Sequence, residues 1–127
     1  MPNGFYGSKE EWERMVAPLR QLDSELSSFA AAHAMEVDHN YHNMPNRMLK
    51  WTSGGIQRVI HIGLEGESQI LFAISAYQDV GGRRRGKRWQ PRLDLSLAEF
   101  KNNLEPLLTD AYQTLAAVTT DELEYWT

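Results

Sequence analysis

The densest chemistry in the chain lies in Gly81-Gly82-Arg83-Arg84-Arg85-Gly86-Lys87-Arg88-Trp89, where five cations fill six consecutive positions beside an aromatic side chain. Guanidinium groups bind carboxylate and phosphate oxygens through paired N–H donors, and an aromatic neighbour adds a stacking surface. Read as a glycine-flanked loop from Gly81 to Gly86, the segment offers Arg83, Arg84, Arg85, Lys87 and Arg88 as a contact element for an anionic partner. An acidic protein is the expected partner. Nucleic acid is the lesser expectation: the chain carries a net charge of −4 with a pI near 5.5, and no RNP, helix-turn-helix or GXXG pattern accompanies the patch. The plainer alternative is a solvated hairpin tip with Trp89 turned into the core.

A second group of reactive side chains sits in Asp38-His39-Asn40-Tyr41-His42. Imidazole and carboxylate are the usual metal ligands and proton carriers. Strand periodicity separates the two histidines, because His39 points with Val37 and Tyr41 toward the core while Asp38 and His42 point away. An Asp38/His42 pair on the polar face survives, with His61 and Tyr77 within reach if the strands align, and this is the alternative ligand-binding or enzymatic face. A hydrogen-bonded surface pair uses the same residues without chemistry. No metal site and no cofactor is expected, and no GxSxG, HExxH, Walker or GxGxxG pattern occurs. The absence of cysteine removes thiolate nucleophiles, disulfides and CxxC redox chemistry.

The elements that would position these residues follow from periodicity. Ser8 and Glu11 form a capping-box pattern, and Trp12, Val16, Leu19, Leu22, Leu26, Phe29 and Ala30 make one helical stripe, with His33 at its end and Pro18 forcing a kink or restart. From Met35 the period becomes two, giving strands over 35–42, 47–52, 56–64, 69–79 and 87–95. The fourth, nearly all apolar from Ile70 to Ala76, has the composition of a central strand, and Pro91 marks the fifth as an edge. Ser96 and Glu99 repeat the capping box ahead of a stripe from Leu97 to Val118, again with a proline, Pro106. Thr119 and Glu122 cap a last short turn carrying Trp126. Alternation assigns Val37, Tyr41, Leu49, Trp51, Ile60, Ile62, Phe72, Ile74, Trp89 and Leu93 to the helix-facing side of the sheet. The opposite face receives Asp38, Asn40, His42, Lys50, Thr52, Gln57, His61, Ser75, Tyr77, Gln90 and Arg92, around Val59, Leu71 and Ala73.

The 127 residues therefore read as a single α+β domain over 1–127. It is a two-layer sandwich of an N-terminal helix, an antiparallel meander of about five strands and a C-terminal helix, both helices on one sheet face. Charge is uneven: the segment 83–92 holds six cations and no acid, while 93–127 nets −6. The N-terminal stretch has neither a basic start nor an apolar run of signal-peptide length, and no segment reaches membrane length. A cytoplasmic, non-enzymatic binding or adaptor protein with no membrane contact is expected, acting as a homodimer through the outer sheet face or an edge strand.

Overall fold

The computed structural model describes residues 7–39, 45–66 and 68–126. Helices α1 (Lys9–Arg20) and α2 (Asp23–Ala32) lead into strands β1 (Glu36–His39), β2 (Asn46–Ser53), β3 (Ile56–Glu65) and β4 (Gln69–Val80). Strands β5 (Arg83–Arg88) and β6 (Arg92–Ser96), helices α3 (Leu97–Asn102) and α4 (Leu104–Ala116), a 3-10 turn at Thr120–Glu122 and strand β7 (Glu124–Tyr125) complete the chain. The sheet is antiparallel in the order β1-β2-β3-β4-β5-β7, with β6 on the same edge of β4 as β5. This is the expected α+β sandwich, with seven strands rather than about five. No helix among the described residues is long and apolar enough to cross a membrane.

Each helical stripe is divided where its proline acts. Pro18 cannot donate to the Arg14 carbonyl, and the backbone tightens just after it, with Gln21 N–H on Pro18 O and Leu22 N–H on Leu19 O. The stripe continues through the break, since Leu19, Leu22 and Leu26 are all fully buried. Pro106 falls in the first turn of α4, where its missing N–H has no partner to lose. Both Ser caps form, the Ser96 and Glu99 box reciprocally.

Leu49, Ile60, Ile62, Ile70, Phe72 and Leu95 meet Leu19, Leu26, Phe100, Leu108 and Leu115 in one core on one side of the sheet. Alternation also turns two arginines toward the helices. Arg47, 2% exposed, forks onto Asp23 of α2 at 2.7 and 3.1 Å and donates to Asn46 O. Arg58, 4% exposed, donates to the Leu115 and Val118 carbonyls at the end of α4 and to Ser53 O. Burial lowers the pKa of Arg58 from its ordinary value, with Tyr112 acting weakly in the other direction.

The fifth expected strand departs from the sequence reading. Ser75 opposes Arg88 and Phe72 opposes Arg92, so the edge carries one more residue than β4 between these pairs, a bulge at Trp89–Pro91. One extra residue moves every later side chain to the other face. Arg92, assigned to the outer face, therefore lies toward α4, and Leu93, assigned to the core, is 52% exposed. Leu95 fills the core after a second register shift between Ile70 and Phe72. His39 likewise is exposed at the end of β1 rather than in the core, and Tyr41 lies outside the described residues.

α2 ends with Met35 N–H on Ala30 O, which places Ala34 in the left-handed region at φ 55°. A β-carbon is disfavoured there, so Ala34→Gly is expected to raise unfolding stability by about 0.5–1 kcal/mol, read from the urea midpoint at unchanged slope.

Candidate functional site

The cations of the 83–88 segment lie on a strand. Gly81 and Gly82 both have positive φ (58° and 80°), forming a two-residue hairpin turn whose register places Arg83 opposite Val80 and Arg88 opposite Ser75. The expected loop from Gly81 to Gly86 is thus reduced to its first two residues, and the cations alternate between faces. Arg83, Arg85 and Lys87 share the helix-side face with Val80, Gln78 and Ala76, while Arg84 and Arg88 share the outer face with Asp79 and Ser75.

Every one of these cations lies against an aromatic ring. Arg83 and Arg85 stack over Tyr125 at 4.1 and 5.7 Å, Arg84 over Tyr77 at 4.3 Å, Lys87 over Trp89 at 4.9 Å and Arg88 over Trp126 at 3.8 Å. Such contacts restrict a long side chain while leaving most of its N–H groups free. Arg84 is neutralised by Asp79, which accepts from Nε and Nη2 at 2.9 and 3.2 Å; that hydrogen bond holds the Asp79 carboxyl below its ordinary pKa. Arg92 is paired in the same way with Asp94. Among the described residues, no carboxylate lies within ion-pair distance of Arg83, Arg85, Lys87 or Arg88.

Gly86 makes this arrangement possible through its missing side chain. A β-carbon built there would lie 2.1 Å from the Trp126 ring and 2.6 Å from Ala76 O, so the indole occupies the space a side chain would fill. The short turn that Thr119 and Glu122 were expected to cap forms at Thr120–Glu122, with Glu122 accepting from Thr119 N–H; the chain then runs extended from Glu124, and the Trp126 backbone N–H bonds to Arg84 O. Tyr125 and Trp126 were missed as site residues. Their signal was the alternating pair at the end of an extended run, readable only once β5 is known to be a strand.

The outer face holds the second candidate group, and the structure separates its members. Asp38 lies opposite Met48, which lies opposite His61, so Asp38 and His61 are two strand spacings apart, about 10 Å. Asp38 is 3.4 Å from Lys50, and Tyr77 donates to Gln57 Oε1 at 2.6 Å. His42 lies outside the described residues. No group of His, Asp or Glu able to hold a metal occurs among the described residues.

His61 faces an open concavity of about 590 Å³, floored by Met48, Val59 and Ala73 and bordered by Asn46, Arg88 and the Gln90–Pro91 bulge. Its Nε2 is shut off from solvent and meets no hydrogen-bond partner among the described residues. Burial lowers the imidazole pKa below 6.5. The arrangement suits binding: the His61 imidazole and Arg88, with the polar side chains of Asn46, Ser75 and Gln90, surround an apolar floor.

Neither a protein-family model, a curated protein nor a solved structure matches the chain.

Because the unfolded chain binds the His61 proton more readily than the folded one, stability is fully present above pH 6.5 and falls as the pH drops through the lower folded-state value. Urea unfolding from pH 7.5 down to 5 is expected to show a stability loss that His61→Phe largely removes. Gly86→Ala is expected to displace Trp126 from β5, seen as a red-shifted and more quenchable tryptophan emission.

Proposed function

We propose that the protein is a non-enzymatic binding protein whose strand β5, with its aromatic backing, receives an acidic segment of a protein partner. One observation carries the reading: Arg83, Arg85, Lys87 and Arg88 have aromatic contacts and no carboxylate among the described residues, although the chain as a whole is acidic. Leaving unpaired cations side by side on one strand costs repulsion, which a bound anionic chain would relieve. Guanidinium groups resting against rings have lost part of their rotamer freedom before binding, which reduces the ordering cost of association. Their free N–H groups match carboxylates in pairs.

Position supports the same partner. The cations project from both faces of a strand near the edge of the sheet, next to the short β7. An extended acidic segment running along that edge would meet Arg83 and Arg85 on one side and Arg88 on the other. Tyr125, 43% exposed, offers an apolar contact among them.

The test uses polyglutamate as the acidic probe and a single-stranded RNA as the competing probe, followed by tryptophan fluorescence across a salt series. Wild type is expected to bind polyglutamate more tightly, and the combined Arg83→Ser, Arg84→Ser, Arg85→Ser variant to bind it at least about tenfold more weakly. The variant should remain folded, losing about 1 kcal/mol for each guanidinium taken from Tyr125. Equal polyglutamate affinity in wild type and variant, or tighter binding of RNA than of polyglutamate by wild type, overturns the reading.

A further inference from the structure

The helix-side face of the sheet is open at the β4–β5 hairpin, and apolar and cationic side chains alternate across it. Val80 on β4 is 40% exposed and lies directly opposite exposed Arg83 on β5. Two residues further along, half-buried Arg85 lies opposite Tyr125 on β7, itself exposed, and opposite Gln78 on β4, whose Oε1 accepts from Arg85 Nε at 2.7 Å. Among the described residues only Met15, Val80, Leu93 and Tyr125 are large apolar side chains in the exposed class, and two of them stand on this patch.

Strand spacing fixes the layout. Val80 and Tyr125 are two strands apart laterally and two residues apart lengthwise, a diagonal of about 12 Å whose midpoint falls between Arg83 and Arg85. In an extended chain, side chains return to the same face every second residue, so positions i, i+2 and i+4 span about 13 Å. The two lengths match.

We propose that the acidic segment received by β5 carries apolar side chains two positions before and two positions after a central carboxylate. The apolar pair covers Val80 and Tyr125, and the carboxylate enters between Arg83 and Arg85. The pattern rests on β5 receiving an acidic segment, and adds what the other side chains of that segment must be. Both guanidinium groups lie against the Tyr125 ring, at 4.1 and 5.7 Å, so the carboxylate meets donors that are already restrained. Gln78 takes up Arg85 Nε, which leaves the terminal N–H groups to the ligand. A uniformly acidic segment would leave both apolar surfaces in water, and a purely apolar one would draw two cations out of water unpaired. The neighbouring charges do not interfere: Asp79 and Arg84 pair with each other on the opposite face, and Lys87 lies further along against Trp89. Having reached the sheet edge at Tyr125, the segment continues along that edge toward Arg88.

The test is calorimetric titration of the full chain with three blocked heptapeptides of equal charge. Glu-Leu-Glu-Glu-Glu-Leu-Glu has the required spacing, Glu-Glu-Glu-Leu-Leu-Glu-Glu turns its leucines to opposite faces, and Glu-Ser-Glu-Glu-Glu-Ser-Glu lacks them. The spaced peptide is expected to bind about fivefold more tightly than either of the others. Val80→Ser should remove that preference and leave the serine peptide's affinity unchanged. Equal affinities for the spaced and rearranged peptides in wild type, or a preference that survives in Val80→Ser, overturn the pattern alone, provided that serine-peptide binding weakens when Arg83→Ser and Arg85→Ser are combined. Absence of serine-peptide binding, or its indifference to those two substitutions, overturns the pattern together with the acidic-segment reading. Equally tight binding of neutral Gln-Leu-Gln-Gln-Gln-Leu-Gln, or self-association of wild type that Val80→Ser abolishes, assigns the patch to an apolar partner or a second copy and also overturns it. Val80 is exposed beside a hairpin turn, so its variant should fold; an unchanged melting temperature confirms that a lost preference reports on the patch.

Discussion

Arg58 brings a positive charge into the core and satisfies it almost wholly with backbone. Its guanidinium donates to Leu115 O in the last turn of α4, to Val118 O just beyond that helix, and to Ser53 O at the end of β2. A helix C-terminus carries partial negative charge and unpaired carbonyls, so the cation and the helix end answer each other's needs where neither could be solvated. The contact fixes α4 against β3. It therefore also fixes where the chain leaves α4, and from there buried Leu123 leads into β7 beside β5. Arg47 and Asp23 do the corresponding work for α2, so both helical layers are held to the sheet by guanidinium groups as well as by hydrocarbon.

Through that placement of the C-terminal segment, a run of like charges becomes tolerable. Five cations on one short strand repel one another, and among the described residues only Arg84 has its charge matched, by Asp79. The others lie against the rings of Tyr125, Trp89 and Trp126, whose quadrupoles partly offset the repulsion. Gly86 is the steric condition for this: any side chain there would collide with the indole that holds Arg88. Composition, packing and electrostatics meet at that residue.

The two sheet faces differ for an equally physical reason. Helices cover the middle of one face, where the residues are apolar or, like Arg47 and Arg58, hydrogen-bonded apart from the Arg58 Nε, and leave Val80 and Arg83 at the β4–β5 hairpin of that face exposed. Among the described residues, no helix lies over the other face. The bulge at Trp89–Pro91 widens the edge of β4 there, and the resulting concavity joins Arg88 to His61, residues from two separate groups in the sequence.

Much of the architecture was legible in the residues. The Ser8 and Ser96 caps, the helical stripes, the alternation of β2 and β3 and the apolar run of β4 depend on neighbouring residues or on burial with a fixed local period, and each appears where the sequence places it. What was lost depended on pairing. A bulge has no signature in alternation, so Leu93 and Arg92 were assigned to the wrong faces; Gly86 reads as a loop residue because its reason for being glycine is an aromatic ring forty residues away in sequence. In the same way the sequence determined that cations are concentrated at 83–92 and that helices and strands occur in this order, because composition and periodicity are properties of neighbouring residues. That those cations line a strand backed by Tyr125 and Trp126, that Arg58 serves as a helix cap, and that His61 and Arg88 line one concavity while Asp38 and Tyr77 stand apart from it came from tertiary structure alone, because register between strands and the path of the C-terminal segment are set by contacts between residues distant in the chain.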